Sequence, residues 1–173
     1  MCGIAGAYTF KNKTIEQQWL QRAADSLNKR GPDNQQFVTI QKAALVHARL
    51  SIIDTSTTAN QPIFDATGRY AIIFNGEIYN YKDVREELLA FGYQFRTNSD
   101  TEVIIYAYHK WGVDCLQKLR GMFAFGIVDL NTKKIFLYLP TKILVAVGSR
   151  HLFIGYRLLP RSVEVHSFVA ASP

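Results

Sequence analysis

Tyr70-Ala71-Ile72-Ile73-Phe74-Asn75-Gly76-Glu77-Ile78-Tyr79-Asn80-Tyr81 is the stretch on which the fold turns. Its first five residues are apolar and rich in β-branched and aromatic types, which predicts a strand over 70–74. Asn75-Gly76 follows, the dipeptide that most favours a two-residue hairpin turn, and Glu77–Tyr81 lies beyond it. A second reading of the same dipeptide is chemical: an Asn carboxamide beside a Gly backbone N–H supplies two convergent donors at a backbone that a bound molecule can approach closely. The two readings are compatible.

Downstream, a helix is predicted over Lys82–Phe91, ending at Gly92, and another from Ser99, with Glu102 at capping-box spacing, to Trp111-Gly112. Met122–Asp129 and Lys134–Leu137 read as a hairpin. Upstream, Gly3–Phe10 is small and apolar, a buried first strand that holds the N-terminus in the core. Thr14 and Gln17 have capping-box spacing, and Leu20, Ala23, Ala24 and Leu27 follow the i, i+3, i+4, i+7 pattern of an amphipathic helix. That helix stops before the breakers of Arg30-Gly31-Pro32-Asp33, and Phe37–Ile40 and Ala43–Ile53 read as strands. Strands and helices fall in separate groups, so an α+β domain with antiparallel sheets is expected and not a doubly wound parallel one.

A length of 173 residues with 48% hydrophobic content suits one globular domain. Two cysteines, Cys2 and Cys115, make no disulfide framework, and without a His/Cys cluster at ligand spacing they make no metal site, so a reducing compartment and a cytoplasmic location are expected. No apolar stretch approaches the ~18 residues of a membrane span. The formal charge is +6, but residues 1–137 hold 16 basic and 13 acidic side chains, and residues 138–173 hold four basic ones and only Glu164. Half the net charge thus sits in the tail, no basic run or aromatic-plus-basic motif precedes it, and no nucleic-acid partner is expected.

Besides Asn75-Gly76, four positions could carry chemistry. Cys2 is either a small residue opening a strand or, if Met1 is removed, a thiol and a free α-amine on one residue: a nucleophile with its own base, since an α-amine has a pKa of ~7.7–8.0. Arg49 lies in the otherwise apolar His47-Ala48-Arg49-Leu50-Ser51-Ile52-Ile53, where a buried guanidinium demands a partner, either a structural carboxylate or the carboxylate of a ligand held bidentately. Asp100 is in the first turn of a helix, where simple capping accounts for an acid. His47 reads as a satisfied core histidine or as a base.

The ordered set Cys2-Gly3-Ile4-Ala5-Gly6, Arg30-Gly31-Pro32-Asp33, His47-Ala48-Arg49-Leu50-Ser51-Ile52, Asn75-Gly76-Glu77-Ile78-Tyr79-Asn80-Tyr81, Ser99-Asp100-Thr101-Glu102 and Gly121-Met122-Phe123-Ala124-Phe125 resembles the glutaminase domain of class II glutamine amidotransferases. It is most like the asparagine synthetase branch. The resemblance implies an N-terminal-nucleophile hydrolase fold, a four-layer α-β-β-α sandwich of two antiparallel sheets, with residues 2–137 as the glutaminase domain. It implies that Cys2 attacks the side-chain amide of L-glutamine, that Asn75 and Gly76 hold the oxyanion, and that water releases glutamate from the thioester. Arg49 would hold the α-carboxylate and Asp100 the α-ammonium, with Leu50, Ser51, Ile52, Ile53 and Glu77 lining the pocket.

No metal or cofactor is expected for that step. ATP and Mg belong to the family's synthetase domain, or to a partner chain that accepts the ammonia, and the Ser-Gly-Gly-x-Asp-Ser loop of that domain does not occur in these 173 residues. After Tyr138 the family's Arg-Asp pair and Gly-x-Lys-Pro-Leu-Tyr-Tyr strand are not matched. Residues 138–173 therefore read as a divergent tail of a truncated or frame-altered product that leaves the sandwich incomplete at the C-terminus, with weak activity and aggregation expected. Two alternatives stay open: an inactive glutamine-binding or regulatory fragment, and a Cys-His hydrolase using Cys2 with His47.

Overall fold

The computed structural model describes residues 2–9, 14–139, 144–148 and 151–155. In chain order the elements are β1 (Gly3–Thr9), α1 (Gln17–Leu27), β2 (Asn34–Ile40), β3 (Ala43–Arg49), β4 (Ile63–Phe64), β5 (Tyr70–Ile78), α2 (Tyr81–Ala90), α3 (Asp100–Trp111), α4 (Cys115–Lys118), β6 (Gly121–Asp129), β7 (Lys134–Tyr138), β8 (Leu144–Gly148) and β9 (His151–Gly155). The strands form two antiparallel sheets, ordered β2-β3-β1-β9-β8 and β4-β5-β6-β7.

Alternation along β5 shows why its sequence is apolar without a break. Ala71 and Ile73 point at the first sheet and meet Ile4, Ala43 and Leu45, while Ile72 and Phe74 point outward and pack with Val84, Leu88 and Val103 of α2 and α3. A strand buried on both faces loses the polar half of its period-2 pattern. On the far side, Leu20, Ala24 and Leu27 of α1 cover Ala5, Ala7, Val46 and Ala48. The layers are therefore α-β-β-α, as expected, with one apolar core between the sheets and one under each helical layer.

Asn75-Gly76 is not a turn. The strand runs through it in unbroken register with β6, from Tyr70 opposite Asp129 to Ile78 opposite Gly121. A nine-residue partner outweighs a dipeptide's local preference, and the glycine is used differently. Gly76 has φ +146°, and a Cβ there would lie 2.3 Å from the Met122 carbonyl oxygen. The chain turns instead at Asn80, whose carboxamide donates to the Lys118 carbonyl at 2.9 Å and accepts from Arg120 N–H at 2.8 Å.

Three smaller expectations change. The capping box at Thr14 and Gln17 does not form: α1 is capped at Glu16 without a side-chain hydrogen bond. Ser99 does cap α3, accepting from Thr101 N–H at 3.1 Å. Glu102, however, does not reach back to Ser99; it is buried and accepts from Thr97 N–H at 2.7 Å and Thr97 Oγ1 at 2.8 Å. The strand expected over Ala43–Ile53 ends at Arg49, and residues 50–56 form a loop. Residues 144–148 and 151–155, within the stretch read from the sequence as a divergent tail, form β8 and β9, and β9 pairs with β1 from Gly6 opposite Ile154 to Thr9 opposite His151.

Candidate active site

Cys2 precedes β1, which pairs with β3 so that Gly3 lies opposite Ala48. That register carries the thiol to the residue just beyond β3: Cys2 Sγ accepts from Leu50 N–H at 3.3 Å. The Arg30-Gly31-Pro32-Asp33 turn locks this corner. Arg30 Nε donates to the Cys2 carbonyl at 3.2 Å, Asp33 Oδ2 accepts from Ser51 N–H at 2.7 Å, and a Cβ on Gly31 would sit 2.2 Å from the Ala48 carbonyl, so only glycine lets the turn lie on β3.

A cavity of about 180 Å³ opens here, walled by Cys2, Arg49, Leu50, Ile52, Ile53, Gly76, Glu77 and Asp100 among the residues expected from the sequence. This volume suits a ligand of amino-acid size better than the ~300–1,000 Å³ typical of larger organic ligands. Two expected residues stand back from the wall. Ser51 is held by Asp33, and Asn75 is buried beside the site with its side-chain oxygen unpartnered among the described residues. Asp54, Gln61, Tyr79, Thr101 and Met122 also line the cavity and were missed from sequence. Gln61 joins two elements of the wall, donating to Thr101 Oγ1 at 3.1 Å and accepting from Phe74 N–H at 2.6 Å.

Arg49 is only 6% exposed, yet no structural carboxylate pairs with it among the described residues. Its guanidinium donates to the Ser56 carbonyl at 2.8 Å, to the Asp54 carbonyl and to Asn60 Oδ1, all neutral acceptors. No ion pair forms on it among the described residues. Asp100 is 4% exposed, and its Oδ2 accepts from Ile78 N–H at 3.2 Å. Burial pushes its pKa up to about 6, against the opposing pull of the Ile78, Thr101 and Asp100 backbone N–H groups. The acid therefore does more than cap a helix: it faces the cavity as a buried carboxyl group.

His47 is fully buried beside the Phe74 backbone, and burial first and Arg49 second push its pKa down to about 4. It is a core histidine, neutral at pH 7. Neither ring nitrogen has a hydrogen-bond partner among the described residues, and the Cys2 thiol meets Leu50 and not this ring. A Cys2-His47 pair is not formed. No group of three His, Cys, Asp or Glu side chains that could hold a metal occurs among the described residues, nor does a helix long and apolar enough to cross a membrane.

A sequence profile of the glutamine amidotransferase domain matches residues 1–139. The chain belongs to this family. The amidotransferase domain is 39% identical over 138 residues to asparagine synthetase [glutamine-hydrolyzing] 3 of Bacillus subtilis, a match covering 79% of this chain and 22% of that protein. With asparagine synthetase [glutamine-hydrolyzing] 2 of Arabidopsis thaliana it shares 35% identity over 159 residues, covering 91% of this chain and 26% of the relative. The chain thus spans about a quarter or less of the curated relatives it matches. Glutamine phosphoribosylpyrophosphate amidotransferase from B. subtilis superposes with a TM-score of 0.67 at 18% identity, over 88% of this chain and 41% of that one, which establishes the N-terminal-nucleophile hydrolase fold.

Proposed function

We propose that the amidotransferase domain hydrolyses L-glutamine to glutamate and ammonia through Cys2. The observation that carries this reading is one small cavity in which a guanidinium with no ion pair among the described residues and a buried carboxylate accompany a thiol. An α-amino acid is a zwitterion, and a cation and an anion on one wall select it where a simple amide hydrolase needs neither. Arg49 receives the α-carboxylate and Asp100 the α-ammonium, with Leu50, Ile52, Ile53 and Glu77 around the side chain and Ser51 behind Leu50.

With Met1 removed, the α-amine of Cys2 takes the thiol proton as sulfur attacks the side-chain amide carbon, and returns it to the departing ammonia. The backbone at Gly76 holds the oxyanion, and the Asn75 carboxamide joins it by rotating from its buried position behind the wall. Water then opens the thioester. The step draws on no metal or cofactor. The ammonia passes to an ATP- and Mg-dependent synthetase domain or partner chain, and the protein works in the cytoplasm. Asn75 standing back from the wall favours a second reading, a glutamine-binding or regulatory fragment without turnover. Release of glutamate by the purified chain, with mass spectrometry of its N-terminus, separates the two: hydrolysis by chains beginning at Cys2 supports the enzyme, and binding without hydrolysis supports the fragment.

A further inference from the structure

Arg49 and Asp100 reach the cavity from different layers of the fold. Arg49 ends β3, and Asp100 opens α3 against β5, so nothing in either sheet's own ladder sets the distance between them. Asp54, in the loop after β3, touches both supports. Its backbone carbonyl accepts from Arg49 Nη2. Its carboxylate Oδ1 accepts from Ser56 N–H at 2.8 Å and Ser56 Oγ at 2.6 Å, and the Ser56 carbonyl in turn accepts from Arg49 Nη1 at 2.8 Å. Its Oδ2 accepts from Asn98 N–H at 2.8 Å, two residues before Asp100. The loop that delivers Asp100 is held at its other end by Glu102 through Thr97.

We propose that Asp54 is a positioning residue for substrate recognition: its carbonyl fixes Arg49 and its carboxylate fixes the loop carrying Asp100, so that one residue sets the separation of the two charges that read the amino acid. The inference rests on the functional reading above and extends it to the device that matches those charges to an α-amino acid. Burial opposes the ionised form of Asp54, but the Ser56 hydroxyl and the Asn98 and Ser56 N–H groups outweigh it and hold its pKa below the ordinary value, so the clamp stays ionised in the neutral range.

Asp54→Asn tests this with little change of shape. Both carboxylate oxygens accept from backbone N–H groups, so a carboxamide in either orientation turns an NH2 against one of them. The KM for L-glutamine should rise about tenfold with kcat within about twofold, as expected for loss of one charge-assisted hydrogen bond that acts on binding alone. Glutaramate, which is glutamine without its α-amine, uses only the Arg49 end, so its kcat/KM should fall less and the preference for L-glutamine should narrow. An unchanged KM and preference, or an equal fall of kcat for both substrates with a lowered thermal midpoint, overturns the proposal. If Asp54→Asn does not fold, Ser56→Ala decides: removing the exposed hydroxyl donor should raise KM in the same direction by a few-fold, and no change overturns it. Should the unsubstituted chain neither bind nor hydrolyse L-glutamine, the functional reading falls and takes this inference with it. Should it do so while both variants match it, only the inference falls.

Discussion

Arg49 and Asp100 are almost equally buried, at 6% and 4% exposure, and they meet the cost of burial in opposite ways. Arg49 is solvated by the chain: carbonyls of the 54–56 loop and the Asn60 side chain replace water around it, and a guanidinium stays charged at any pH the fold survives. Asp100 has backbone N–H donors but no cation paired with it among the described residues, and burial raises its pKa to about 6. One end of the site is therefore permanently charged and the other is poised to titrate. A buried ion can be carried by well-aimed dipoles, and where the dipoles are too few the proton supplies the remainder.

The comparison becomes measurable once chemistry is separated from binding. Cys2→Ala should lower kcat for glutamine hydrolysis at least about a thousandfold by deleting the nucleophile. Arg49 and Asp100 remain in place, so calorimetry should show L-glutamine still bound. Residual turnover near the parent rate would eliminate Cys2 as the nucleophile.

Arg49→Lys attacks the permanently charged end. An ammonium cannot reproduce the parallel donors of a guanidinium or satisfy the Ser56, Asp54 and Asn60 oxygens together, so KM should rise about ten- to a hundredfold and the thermal midpoint should fall. Steady-state kinetics with thermal unfolding reads both, and parental values for both would return Arg49 to an ordinary framework residue.

The titrating end gives a pH dependence. As pH falls through about 6 Asp100 takes up a proton and loses its hold on an ammonium group, so KM should rise about tenfold between pH 7 and pH 5. Arg49 contributes nothing to that slope. A KM flat over this range would mean that Asp100 does not hold the ammonium.

Asp100→Asn sharpens the contrast by its sign. Because the folded-state pKa lies above the ordinary 3.8, the ionised acid opposes folding above about pH 6, and that cost fades as pH falls toward 3.8. The variant should therefore weaken glutamine binding while gaining about 1–3 kcal/mol of stability at pH 7, with the two chains converging near pH 4. Loss of both affinity and stability, as for Arg49→Lys, would erase the difference between the two ends.

How far the site could be read in advance depended on whether its residues act locally. Ser99 was legible as a cap because an N-terminal cap is a three-residue event. Asn75-Gly76 was misread as a turn because its local preference is real but is overruled by β6, which lies more than forty residues away in the chain. Leu50–Ile53 looked like the end of a core strand, yet Ile52 is 71% exposed at the cavity mouth. Periodicity cannot distinguish an apolar residue that lines a site from one that fills a core. Asp54 carried no signal at all, since an Asp after a strand is ordinary turn chemistry until its hydrogen bonds to Asn98 and Ser56 are seen.

The α+β class, the strands and helices with the longest apolar patterns, and the burial of α1 by Leu20, Ala24 and Leu27 were legible in the sequence alone, because each follows from short-range periodicity, while a thiol, a cation and an acid could be named there only as candidates to be brought together. That eight of ten expected residues share one cavity, that Arg49 is held by neutral oxygens, that Gly76 is reserved for the close approach of Met122, and that β9 lies beside β1 were decided only in three dimensions. These are pairings between distant segments, and their free energy belongs to the register of two sheets and not to any one stretch of chain.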